Sequence, residues 1–121
     1  MAAEEFQFEV IKTLREHSLT YPETNEGDSC VKRAFKARNK GFVYLGETED
    51  SYNIILKLDE SIPEAKALAA AEPDHYTIGN TNWVTVNFPA DEIPPKGLIE
   101  GWIDESFRLQ APKAVLAQLN D

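Results

Sequence analysis

The sequence predicts an α+β fold: an antiparallel sheet of about five strands flanked by N- and C-terminal helices, a two-layer sandwich in the order αβββαββαα. Three observations predict it. Between Cys30 and Asp59, three segments (CVKRAFKAR, GFVYLGETE, SYNIILKLD) are separated only by Asn39-Lys40-Gly41 and Thr48-Glu49-Asp50-Ser51. Those residue types tolerate positive φ or hydrogen-bond their own backbone, so the segments read as a meander of strands with tight turns. Trp83 to Phe88 alternates Val84, Val86 and Phe88 with Trp83, Thr85 and Asn87, the period of a half-buried strand. Both ends of the chain carry apolar residues at helical spacing, and no crossover helix joins the first three strands, which excludes a parallel doubly wound sheet.

Taken in order, Phe6, Val10, Ile11 and Leu14 form one apolar side of a helix from about Ala3 to Ser18, with Glu5, Glu9, Lys12, Arg15 and Glu16 largely opposite. Acids at its start suit the positive end of the helix dipole. Tyr21 to Asp28 reads as a polar connection. Along the first strand Lys32, Ala34, Lys36, Arg38 and Lys40 share one parity, and Val31, Arg33, Phe35 and Ala37 the other. The third strand divides Tyr52, Ile54, Leu56 and Leu58 from Asn53, Ile55, Lys57 and Asp59. Lys57 joins the basic stripe if the strands pair in sequence order. Ser61 and Glu64 have capping-box spacing ahead of an Ala-rich helix that stops before Pro73. A brief strand at Tyr76 to Ile78 and a turn at Gly79-Asn80-Thr81 precede the Trp83 strand. Pro94-Pro95 suits a helix start, and Leu98, Ile99, Trp102, Ile103 and Phe107 continue it. A last short helix starts near Pro112. Trp83, Trp102, Phe107 and Tyr52 are assigned to core packing.

A chain of 121 residues fits one domain, residues 1–121. The single Cys30 excludes an internal disulfide, and no apolar run approaches the ~20 residues of a membrane span. The start MAAEEFQFEV has no positive n-region, so a cytoplasmic monomer without membrane contact is expected. The net charge of -9 opposes general nucleic-acid affinity, yet Cys30 to Gly46 holds five bases and no acid. The basic stripe is either a solvated face that keeps the sheet soluble or an anion-binding face.

No catalytic or metal-binding constellation is legible. His17, His75 and Cys30 do not fall into metal-ligand spacing, and the glycines form neither G-x-G-x-x-G nor a P-loop. The acidic pairs Glu4-Glu5, Glu49-Asp50, Asp59-Glu60, Asp91-Glu92 and Asp104-Glu105 read as solvated turns and helix ends. The expectation is a non-enzymatic protein with no cofactor.

Five pieces in order, Tyr21 to Ser29 (YPETNEGDS), Phe35 to Leu45 (FKARNKGFVYL), Leu56-Lys57-Leu58, Asn82 to Phe88 (NWVTVNF) and Leu98 to Leu109 (LIEGWIDESFRL), resemble the MmcQ/YjbR family of small bacterial proteins. The resemblance spans about Glu5 to Leu116. It implies a CyaY-like fold, that of the bacterial frataxin homologue, and the "double wing" description of a DNA-binding group. One wing then corresponds to the hairpin around Ala34 to Phe42, the other to the turn from Ile78 to Trp83, which here is uncharged. The residues expected to contact DNA or another polyanion are Lys32, Arg33, Lys36, Arg38, Lys40 and Lys57. The alternatives are an acidic protein partner docked on the same stripe, or weak iron binding at Glu4, Glu5, Glu9 and Glu16 by analogy with frataxin-type proteins.

Overall fold

The computed structural model describes residues 6–29 and 32–119. The strands are β1 (Thr24–Ser29), β2 (Lys32–Ala37), β3 (Lys40–Glu47), β4 (Ser51–Lys57), β5 (Tyr76–Ile78) and β6 (Trp83–Pro89). The helices are α1 (Glu9–Ser18), α2 (Ile62–Ala71), α3 (Leu98–Gln110) and α4 (Lys113–Leu116). The strands form one six-stranded sheet in the order β1-β2-β3-β4-β6-β5, and every neighbouring pair is antiparallel. The expected α+β architecture is present, with one strand more than the sequence suggests.

The additional strand, β1, lies where a polar connection is expected. Its sequence TNEGDS has no apolar residue to bury, and it is held at the sheet edge by register with β2, from Thr24 opposite Ala37 to Asn25 opposite Lys36 and Glu26 opposite Phe35. Pairing of backbone groups makes a strand here where side-chain pattern does not. At the N-terminus α1 begins at Glu9, with Phe6 to Phe8 outside the helix and Phe8 extended, and Ala3, Glu4 and Glu5 of the expected helix lie outside the described residues.

One side of the sheet carries the core. Phe35, Val43, Leu45, Tyr52, Ile54, Leu56, Val84, Val86 and Phe88 meet Ile11 and Leu14 of α1 and Ile99, Trp102, Ile103 and Phe107 of α3. Each fully buried side chain of this size contributes on the order of 1.5–3 kcal/mol, so this one layer holds the fold. Tyr52, Trp102 and Phe107 pack there as expected. Trp83 does not: it pairs opposite Lys57 on the other side of the sheet.

Alternation fails once, with structural effect. Lys36 faces Gly41 and Phe35 faces Val43, which leaves Phe42 as the extra residue of a β-bulge, and Phe42 and Val43 are both buried. The bulge leaves backbone groups of β3 and β4 apart, and α3 closes the gap. The fully buried Ser106 hydroxyl donates to the Phe42 carbonyl at 2.5 Å and accepts from the Lys57 amide at 2.9 Å. Phe42 then packs edge-on to Phe107 (5.1 Å between centroids) and to Tyr21 (5.8 Å).

Two helix starts differ from the sequence reading. Ser61 is the N-cap of α2 but makes no side-chain cap bond; its hydroxyl donates to Glu105 at 2.6 Å, and Glu105 also accepts from the amides of Asp59 (2.7 Å) and Ser61 (3.1 Å). The carboxylate from α3 thus binds the loop and N-cap amides ahead of the helix, and places its charge near the positive helix end. Glu64 instead accepts from the Trp102 indole N–H at 3.1 Å. Helix α3 starts at Leu98, after Gly97 at φ 81, so Pro94 and Pro95 precede the helix rather than open it. A left-handed residue cannot lie inside an α-helix, and Gly accepts that φ without steric cost.

Candidate functional site

The side of the sheet turned away from the helices bears no layer of secondary structure among the described residues. Register places three rows on it. Asn25, Lys36 and Gly41 lie at one end, with Lys57 opposite Trp83; Gly27, Ala34, Tyr44, Ile55, Thr85 and Thr77 cross the middle; Gly46, Asn53 and Asn87 follow, with Lys32 beside them. The position of Lys32 is fixed by its Cγ, which lies 3.1 Å from where a Cβ on Gly46 would stand. Because β2, β3 and β4 pair in sequence order, Lys57 shares this face with Lys32 and Lys36.

No carboxylate lies on this face among the described strand residues. The strand acids are Glu26, Asp28 and Glu47, and all three turn to the helix side, where they pair opposite Phe35, Arg33 and Tyr52 respectively. Their partners fix them there. Glu26 accepts from Arg15 at 2.8 Å and from Arg33 at 3.2 Å. Glu47 accepts from the amides of Gln7 (2.8 Å) and Phe8 (2.9 Å), anchoring the segment that leads into α1. The helix layer carries Asp104 and Glu105, which with Asp59 and Glu60 line an acidic depression of about 370 Å³. The two sides of the sheet therefore differ in sign.

The six expected contact residues divide accordingly. Lys32, Lys36 and Lys57 come together on the open face, and none of them has a carboxylate within 4 Å among the described residues. Arg33 is on the helix side, bonded to Glu26 and Asp28, and mostly screened from solvent. Arg38 does not continue the strand. It occupies the hairpin turn at φ 56, and its guanidinium donates to Glu23 at 2.7 and 3.1 Å. That pairing raises the Arg38 pKa and lowers that of Glu23. Lys40 pairs opposite Ala37, a core residue, so the turn carries it to the helix side, exposed at the hairpin tip. Parity counted through a turn assigns the wrong face because the chain reverses there.

Two aromatic residues complete the open face, and the sequence reading placed one of them in the core. Tyr44 and Trp83 are both partly exposed, with ring centroids 6.0 Å apart and planes inclined by 62°. The Tyr44 hydroxyl lies 2.3 Å from where a Cβ of Gly41 would be, so the ring lies along its own strand over a residue with no side chain. The only signal for them in the sequence was parity, which put Trp83 opposite to Val84 and Val86.

A profile of the YjbR family matches residues 19–109, three quarters of the chain. The chain belongs to the YjbR family. No curated protein sequence matches it significantly. In this YjbR-family chain the matched segment runs from the end of α1 to α3, and so contains the whole sheet, the bulge and Ser106.

Other features of the YjbR-family chain stand apart from this face. The second hairpin region, Gly79 to Trp83, is a 3-10 turn with Thr81 at φ 55 and Asn82 at φ 66, and it is uncharged as the sequence indicates. Among the described residues no group of three His, Cys, Asp or Glu is placed to hold a metal, and Glu4, Glu5 and Cys30 lie outside them. No helix among the described residues is long and apolar enough to cross a membrane. An apolar groove of about 430 Å³ runs between α1 and the loop before α3, walled by Val10, Leu14, Ile93, Pro94 and Ile99.

Proposed function

We propose that this YjbR-family protein is a non-enzymatic binding module that takes DNA or another polyanion on the open face of its sheet. One observation carries the reading: in a protein of net charge -9, this face holds Lys32, Lys36 and Lys57 with no ion-pair partner among the described residues, and no described strand residue places a carboxylate on it. A solvated face could carry mixed charge. Clearing it of acids, while every strand acid is tied on the other side, favours an anionic ligand over mere solubility. The surrounding negative charge opposes long-range attraction, so binding is expected to rest on local contacts, whose counterion release makes it weaken as salt is added.

Phosphate contacts by lysine release counterions, and three contacts give a slope of log affinity against log salt of about −2 to −3. Titration of a labelled oligonucleotide across a salt series tests this. Affinity that weakens by roughly that slope, and a slope that falls by about one unit in Lys36→Ala, support the reading. Absence of binding at low salt, or binding unaffected by replacing all three lysines, refutes it.

A further inference from the structure

The open face carries more than charge. Tyr44 and Trp83 belong to no part of the apolar core, and they sit on the solvent side of a sheet whose core lies opposite. Their planes are inclined at 62° in an edge-on contact, which covers at most one face of one ring and leaves the remaining faces uncovered by the partner ring. Lys57 stands directly across from Trp83, and Lys36 is directly across from Gly41, the residue beneath the Tyr44 ring. Around them lie Asn25, Asn53, Asn87, Thr77 and Thr85, groups able to hydrogen-bond polar ring edges. The Asn53 carbonyl oxygen is buried on this face and has no hydrogen-bond partner among the described residues.

Resting on the polyanion reading above, we propose that the ligand is a single-stranded nucleic acid. Bases stack on Trp83 and Tyr44, and Lys32, Lys36 and Lys57 contact the phosphates. A duplex keeps the flat faces of its bases inside the helix, so it can meet a flat sheet only through its backbone and leaves the two rings idle. A single strand offers both parts at once, a π-face on every base and a phosphate between bases. Lys32 and Lys36 lie ~13 Å apart along β2, which spreads the cations along a path rather than gathering them at one anion site.

The test uses the full chain with labelled oligo(dT) and oligo(rU) of about 12 nucleotides, a DNA duplex of the same length, and inorganic polyphosphate. Anisotropy gives affinity, and tryptophan fluorescence reports stacking, since Trp102 is buried behind the sheet. The expected result is that single strands bind more tightly than duplex or polyphosphate and quench the fluorescence. Trp83→Leu should then lose about tenfold in single-strand affinity while duplex and polyphosphate affinities stay the same. Trp83→Phe should recover part of the loss, and Tyr44→Leu provides a second variant on the same surface. Preference between dT and rU identifies the sugar, and either supports the proposal. Equal affinity for duplex, polyphosphate and single strands, or no effect of Trp83→Leu, overturns stacking but leaves a polyanion face. Lack of binding to all four probes at low salt overturns both.

Discussion

Ser106→Ala tests the joint between the two layers. The Ser106 hydroxyl is completely buried and serves two backbone groups, the Phe42 carbonyl at 2.5 Å and the Lys57 amide at 2.9 Å. Alanine fits the space but leaves a buried acceptor and a buried donor without this partner. Each such loss costs about 1–3 kcal/mol, so losing both should cost about 2–6 kcal/mol. Unfolding entropy of about 2.1 cal/mol/K per residue makes each kcal/mol worth about 4 °C in a chain of this length, so Tm should fall by roughly 8–24 °C. Ser18→Ala is the control. Ser18 is equally buried, but its hydroxyl donates only to the carbonyl of Leu14, one turn back, which already takes a helical amide. Removing it should cost under about 1 kcal/mol. Urea unfolding followed by circular dichroism, with m compared between variants, measures both. If Ser106→Ala costs less than about 1 kcal/mol, or no more than Ser18→Ala, the bulge does not depend on this hydroxyl and the reasoning is wrong.

The division of the cations predicts opposite phenotypes. Arg33→Met should lower stability by about 1–2 kcal/mol, because Glu26 keeps only Arg15 in a largely desolvated pair, and should leave oligonucleotide affinity unchanged. Lys36→Ala should stay within about 0.5 kcal/mol of the parent in stability and weaken binding; the reverse pattern in melts and titrations would contradict the face assignment. Burial pushes the Glu105 carboxyl up, but hydrogen bonds from the Ser61 hydroxyl and the amides of Asp59, Ser61 and Glu60 outweigh it and hold the pKa below its ordinary value. Its contribution is therefore complete above the unfolded pKa and lost as pH falls through the lower folded value, so Glu105→Gln should flatten the acid limb of a stability profile measured by urea titration. At the alkaline end burial raises the phenols of Tyr21, Tyr52 and Tyr76, with Tyr52 reaching about 12 and also donating to the Glu92 carbonyl at 2.6 Å. Stability should hold below pH 10 and fall as pH rises through the folded values, and Tyr52→Phe should lose part of that slope. Phenolate absorbance from all the tyrosines near pH 10 without unfolding would count against this.

Local pattern accounts for most of the architecture. The turn residues at Asn39 to Gly41 and Thr48 to Ser51 and the alternation in Tyr52 to Leu58 and Trp83 to Phe88 suffice to place β3, β4 and β6 and the buried faces of β4 and β6; the buried side of β3 was not legible, because the bulge puts Phe42 and Val43 on the same side. This works because side-chain direction within an uninterrupted strand is fixed by geometry alone. Helix α3 was legible from the spacing of its apolar residues, though not its start, which waits on the backbone of Gly97. Strand β1 was not legible, since an edge strand without apolar residues is defined by its neighbour's hydrogen bonds.

The surface is a different matter. Composition alone shows a cluster of five bases between Cys30 and Gly46 within an acidic chain. It cannot show that Arg38 is spent on Glu23, that Arg33 is spent on Glu26 and Asp28, or that the turn carries Lys40 to the helix side. Nor can it show that Lys57 and Trp83, 26 positions apart in sequence, stand opposite one another beside Tyr44. Charge count and strand period belong to the chain, because they depend on each residue and its immediate neighbours. Which cation keeps its charge available, and which ring faces water, depends on partners brought close by the sheet and the helix layer, and so only the tertiary structure decides it.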